Sequence, residues 1–422
     1  MLNFASMFAP GSKGWIAKYL QLIEAGELSV DLKKPADLTR AEFNHYTLSQ
    51  TGIIFGYPSK LLFGKNLDTS KWTHDEQLTV LLFESLLFTH MNIQGRTKLR
   101  ADEFLNDLNI FYKKHRVQSL SSVLTFFLKE SASEKIERIL EKRTDVPKNL
   151  TNTKSWMSYF NNSFIYLDVI LFEDFLKNKR KQTLDYQKLA LLALGIISIS
   201  AYSDGEIQEH EKNLFNTFLL SADLDSDEKE LAKLRFREGI TLNELTCDLV
   251  DSWNFKRYLL DLSVLTMHMN QNSRETDLET LIMLKKWMSC SERDLDEAIY
   301  CTDQFLLENN QKVSYLNDSN SMEQMLDSVS RRWIKILGRN KDKLAQEIKQ
   351  SKELVFLIRK SASEELSKEE KEKVKTQFMD IAKSMPALAI FLLPGGALLL
   401  PIVLKIIPNL VPSAFKDNEL EE

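Results

Sequence analysis

Proline is missing from most of this chain. The sequence has 422 residues and 9 prolines, and none stands between Pro147 and Pro386. Glycine totals only 13. So few backbone breakers exclude a turn-rich β architecture and favour helices. Cysteine totals 3, at Cys247, Cys290 and Cys301, without a C-x-x-C spacing. That excludes a disulfide framework and a cysteine zinc site, and points to reduced thiols in a cytosolic compartment. Neither sign of charge dominates, since 55 basic residues face 60 acidic ones for a formal net charge of −5. Binding through bulk positive charge is therefore excluded, and no nucleic-acid partner is expected. Residues 1–14 lack a charged stretch followed by a long apolar run, so no signal peptide is expected there.

What the chain does have is apolar residues at helical spacing, separated by helix-start signals. Thr39-x-x-Glu42, Thr73-x-x-Glu76, Thr241-x-x-Glu244 and Ser367-x-x-Glu370 are capping boxes, in which each side chain satisfies a backbone N–H left orphaned at a helix start. Strand-like alternation is scarce. Gly52-Ile53-Ile54-Phe55-Gly56 is one short candidate, and a buried turn fits it equally. The fold class read from this pattern is all-α: helical bundles with a C-terminal apolar, transmembrane helical segment.

Five regions follow from composition. Residues 1–75 read as an irregular N-terminal region, and 76–180 as a helical domain. Within it Phe164–Leu176 is a buried helix, and its Asp168, Glu173 and Asp174 argue against a membrane span. The basic run Lys177–Lys181 reads as a solvated break and a boundary. Residues 184–305 form a second helical bundle, around an apolar helix that ends near Tyr202. Residues 306–350 read as a connector, basic from Arg331 to Lys343, and 351–422 hold a charged helix, an apolar segment and an acidic tail.

In the second bundle, Ser200-Ala201-Tyr202-Ser203-Asp204-Gly205-Glu206-Ile207 with Glu211 resembles the tellurite-resistance TerB-like module, a small helical bundle with clustered acids. The resemblance implies a divalent cation at Asp204, Glu206 and Glu211. The same residues also fit carboxylates at the positive end of a helix dipole, on a solvated acidic face. Asp223-x-Asp225-x-Asp227 fails as an EF-hand, because loop positions six and twelve are Glu228 and Leu234 instead of Gly and Glu. The six histidines (45, 74, 90, 115, 210 and 268) are scattered without an H-x-x-x-H pair. No cofactor is expected beyond that cation.

The C-terminal segment is the most informative. Residues 384–404 contain no charge, and 21 helical residues reach about 30 Å, the hydrocarbon thickness of a bilayer. Pro394 and Pro401 would penalise a soluble helix by about 3 kcal/mol each but are tolerated in membranes. The expectation is an anchor at about 384–411, crossing once or folding back as a re-entrant hairpin. Lys368, Lys371, Lys373, Lys375 and Lys383 precede it, which places the N-terminal bulk in the cytoplasm. Lysines 371, 375 and 383 also suit anionic lipid headgroups.

Pro386, Pro394, Pro401, Pro408 and Pro412, with Lys405 and the stretch Pro408–Phe415, resemble the membrane region of the Letm family, leucine zipper–EF-hand-containing transmembrane proteins. The resemblance implies a role in cation/proton exchange, and ribosome binding at family level. Ala397 stands where Letm members carry a glutamate, which removes the natural intramembrane ion carrier. The chain ends ten residues after Pro412, so the matrix domain, coiled coil and EF-hands have no counterpart in these residues.

A TerB-like module joined to a Letm-like end resembles bacterial Letm-related, biofilm-associated proteins. No nucleophile elbow, P-loop, G-x-G-x-x-G or H-E-x-x-H is present, so an enzyme is not expected. The expected function is a non-enzymatic protein of the bacterial inner membrane, in envelope, stress or biofilm physiology. Its partners are membrane lipids and an unidentified protein. The alternatives are a cation/proton homeostasis component, which needs a homo-oligomer because one kinked helix lines no pore; a ribosome-associated membrane protein; and a soluble divalent-metal-binding stress module.

Overall fold

The computed structural model describes residues 10–36, 38–115, 131–145, 162–181, 183–202, 207, 209–245, 252–268, 275–309, 337–338, 341–384, 404 and 407–408. All regular structure among them is helical. The chain divides into two compact units, one of residues 1–270 with 274–289, the other of 271–273 with 290–422.

The first unit holds α1 (Trp15–Glu24), α2 (Arg40–Ser49), α3 (His74–Ile93), α4 (Ala101–Lys114), α5 (Ala132–Thr144), α6 (Tyr166–Lys177), α7 (Tyr186–Ala201), α8 (Glu209–Ser221), α9 (Ser226–Glu238), α10 (Trp253–His268) and α11 (Glu275–Trp287). Thr39 and Thr73 close their capping boxes as expected, with Glu42 and Glu76 returning to the cap backbone. Thr241 does the same on a short 3-10 turn, Leu242–Glu244. α1 has no side-chain cap of its own, and Gly14 precedes it in the left-handed region. Its orphan amides at Gly14 and Ile16 donate instead to Glu137 of α5, at 2.8 and 2.9 Å. That places an anion at the positive end of the helix dipole.

The core is built on helices that are apolar nearly all round. α3 is buried from Leu78 to Asn92, and α7 buries Leu189, Ala193, Ile196 and Ile197. A helix without a polar face must be wrapped by others. α3 lies against α2, α5 and α6, and α7 lies against α6, α8, α9, α10 and α11. Residues 10–75, expected to be irregular, contribute two helices and core side chains such as Trp15, Tyr19 and Tyr46.

The 52–56 segment is a buried 3-10 turn, Ile53–Phe55, with Gly52 and Gly56 both at positive φ. It packs on a second 3-10 turn, Ser163–Ile165. The basic run after α6 is not simply solvated: Lys177 pairs with Glu173 at 2.5 Å and Arg180 with Asp107 at 2.5 Å.

In the second unit are α12 (Glu292–Glu308), α13 (Lys341–Lys349), α14 (Lys352–Ser363) and α15 (Lys368–Ser384). α13, α14 and α15 pack together, through Leu344, Ile348, Leu354, Ile358, Val374 and Phe378. Ser367 and Glu370 form the expected capping box at the start of α15. Among the described residues no helix is long and apolar enough to cross a membrane. The proposed anchor, Pro386, Pro394, Pro401, Lys405 and Pro412 included, lies outside them; Pro408 is described.

Gly56 gives a direct test of the turn-on-turn contact. A Cβ there would sit 2.2 Å from the Asn162 backbone oxygen, at φ +65°. Gly56→Ala is expected to cost roughly 2–5 kcal/mol of stability, from left-handed strain plus overpacking. Denaturant unfolding checks this, and an unchanged midpoint would contradict it.

Candidate functional site

Apolar helices in a bundle cannot bury a carboxylate unless something compensates its charge. The first unit buries several, and three aspartates do so in the same way: each sits between one histidine and one arginine.

Asp168 on α6 is fully buried. Arg143 of α5 grips it with two bonds, Nε to Oδ2 at 2.9 Å and Nη2 to Oδ1 at 2.7 Å. His115, just after α4, faces Oδ1 at 3.3 Å, and the Tyr112 hydroxyl donates to Oδ2 at 3.1 Å. The free arm of Arg143 reaches Asp223 at 2.7 Å. Burial works to raise the Asp168 carboxyl, but Arg143 and His115 outweigh it and hold it well below the usual range. Burial and the nearby Asp168 carboxylate push the Tyr112 hydroxyl far up.

On α10, Asp261 accepts from Arg257 one turn earlier and lies 2.9 Å from His45 Nε2 of α2. The other ring nitrogen of His45 meets Asn254 Oδ1 at 2.9 Å. Asn254 is oriented by its own amide, which donates to Glu173 Oε2 at 3.0 Å, where Asn44 also donates. The third aspartate, Asp107 on α4, faces His90 Nε2 at 3.2 Å and is bridged by Arg180. Burial opposes ionisation of Asp107, yet His90 and Arg180 lower its carboxyl.

These pairs have the partners of acid–base chemistry without access for a substrate. The side chains of His45, Asp261, His115 and Asp168 expose no surface. They join elements far apart in sequence, α2 to α10 and α4 to α5 and α6, so their work is to fix the bundle.

Metal binding can be weighed the same way. Among the described residues, His90, Glu103 and Asp107 bring ligand atoms within 4.8 Å of one another. Both carboxylates are already neutralised: Arg180 on Asp107, and Arg96 on Glu103 at 2.8 Å. The Arg96 hydrogen bond holds the Glu103 carboxyl below its ordinary range. A divalent ion would have to displace two guanidinium groups, so this set reads as a closed ionic network.

Of the acids expected to hold a cation, Asp204 and Glu206 lie outside the described residues. Glu211 is in the first turn of α8 and only 1% exposed, so it does not belong to a solvated face. Asp223, Asp225 and Asp227 have local duties. Asp225 caps α9 in a capping box with Glu228, and Asp223 receives Arg143.

Sequence reasoning did not find the three histidines as core residues. Their partners lie 216, 17 and 53 positions away, beyond any local motif. A usable signal existed on the other side of two of the pairs: an acid within a largely apolar helix, as at Asp168 or Asp261, requires a compensating cation.

Two clefts open on the surface of this unit. One, of about 650 Å³, is lined by Leu20, Glu24, Arg100, Asp102, Glu103 and Leu105. The other, about 400 Å³, is lined chiefly by apolar side chains including Leu28, Val30, Phe63 and Met91.

The comparisons with known proteins bear on the other end of the chain. Residues 366–422 match the family model described as LETM1-like, RBD. No curated protein and no solved structure matches. The matched stretch begins just before α15 and includes the uncharged run 384–404. It does not include residues 184–305.

Beside Phe63 lies a buried acid whose titration can be followed. Glu84 on α3 accepts from the amides of Leu62, Phe63 and Gly64 at 2.5, 3.0 and 2.7 Å, and from the Tyr19 hydroxyl. Burial raises its carboxyl to about 7 against the pull of these four donors. The folded chain thus holds this proton more tightly than the unfolded chain, and the group subtracts stability as pH rises from about 4.5 to about 7. Relative to wild type, Glu84→Gln is expected to gain up to about 3 kcal/mol between those limits. Unfolding curves of both proteins across that range measure it, and a constant difference would contradict it.

Proposed function

We propose that this chain is a non-enzymatic, membrane-attached helical protein related to the Letm family through its C-terminal end. The observation that carries the reading is the match of residues 366–422 to the LETM1-like, RBD model, on the stretch that contains 21 uncharged residues. In this reading residues 384–411 anchor the chain to a bacterial inner membrane, and the remainder is cytoplasmic.

The lysines ahead of the anchor are compatible with anionic lipid. Lys371 pairs with Glu365 at 2.8 Å and Lys375 with Glu372 at 3.0 Å. Exposed pairs of this kind contribute about 0–1 kcal/mol and exchange easily for a lipid phosphate.

A second reading is a ribosome-associated membrane protein, which the description of the matched model favours. Cation/proton exchange by this chain alone has weaker support, since Ala397 offers no carrier group. The TerB-like resemblance of 184–305 and the biofilm link rest on sequence resemblance only.

Fractionation tests the anchor. The full chain is expected in the carbonate-washed membrane pellet, and a chain truncated after Lys383 in the supernatant. Release of the full chain by carbonate, or identical behaviour of the two, would overturn the reading.

A further inference from the structure

The smaller of the two surface clefts, of about 400 Å³, has the size and the apolar lining of a small-molecule site. Phe63 and Met91 in its wall are buried, while Ile23, Val30, Leu32 and Leu99 around it are only half-buried. Those half-covered side chains still have apolar surface to remove from water. The wall is set in advance, because Glu84 accepts from the amides of Phe63 and of its neighbours Leu62 and Gly64. A cleft fixed before its ligand arrives costs little ordering on binding.

Two charges of opposite sign, Glu24 and Lys98, line the same cleft. Both are exposed, and among the described residues neither side chain has a hydrogen-bond or ion-pair partner. Glu24 is also in an unusual place. It is the last residue of α1, at the negative end of the helix dipole, and that last turn holds no basic residue. α4, α5 and α6 instead carry lysine or arginine in their last turns, as the dipole favours. The mouth of the cleft at α1 is therefore suited to a cation, and Lys98 to an anion.

We propose that this cleft binds a free α-amino acid with a large apolar side chain. The side chain packs against Phe63, Met91 and Leu99, the ligand ammonium meets Glu24, and the ligand carboxylate meets Lys98. Such a molecule carries an apolar body and both charges in one small frame. An apolar carboxylic acid would leave Glu24 without a counter-charge, and an apolar amine would leave Lys98 without one. The inference does not depend on the membrane anchor.

The test is calorimetric titration of the full chain with L-phenylalanine, beside 3-phenylpropionate, which lacks the ammonium, and phenethylamine, which lacks the carboxylate. Saturable binding of L-phenylalanine is expected, with a Kd below about 1 mM. Both analogues should bind at least several-fold more weakly. Glu24→Gln and Lys98→Met, exposed positions where the fold loses no partner, should each weaken L-phenylalanine several-fold. No saturable binding of L-phenylalanine overturns the proposal. Equal binding of either analogue overturns the two-charge recognition, and unchanged affinity in both variants overturns the assignment to this cleft.

Discussion

The fold of the first unit depends on keeping ionised carboxylates inside an apolar bundle. Moving one such charge out of water costs several kcal/mol even after relaxation. Arg143 recovers this at Asp168 with two parallel bonds in the fork geometry that suits a carboxylate. His115 and Tyr112 occupy the remaining approaches to the same two oxygens. Breaking such a set strands a charge, so these pairs enforce one arrangement of helices more than they add net stability.

That constraint explains the architecture around it. α6 carries Asp168 on one side and Glu173 further along, so it must lie where α5 supplies Arg143 and α2 and α10 supply amides. Arg180 then ties the turn after α6 back to Asp107 on α4. His45, His90 and His115, the histidines of these pairs, are closed off by packing.

Much of the helical content was legible in the sequence, because capping and periodicity are local. Thr39, Thr73 and Ser367 announce helix starts within three residues of their partners, and the absence of proline from 148 to 385 leaves α6 to α15 uninterrupted. The apolar character of residues 184–202 placed α7 at the centre of its neighbours. The polar core was not legible. Nothing near His45 signals Asp261, and nothing near His115 signals Asp168, since these pairs exist only after the chain has folded. Asp168 and Glu173 were read correctly as incompatible with a membrane span, but what satisfies them comes from four other elements. Glu211 shows the same limit, because a carboxylate in a first helical turn looks alike from sequence whether it ends in water or under another helix.

The C-terminal end shows the opposite balance. Its pattern of prolines and its uncharged run are visible in one dimension, and the LETM1-like match falls on them. The account of the first unit can be tested at its hub. A double-mutant cycle with Asp168→Asn and Arg143→Met, read by denaturant unfolding, measures the interaction directly. Each single change is expected to cost about 3–5 kcal/mol, with the pair costing at least about 2 kcal/mol less than the sum. Additive losses would show that the two side chains do not depend on each other and would contradict the account.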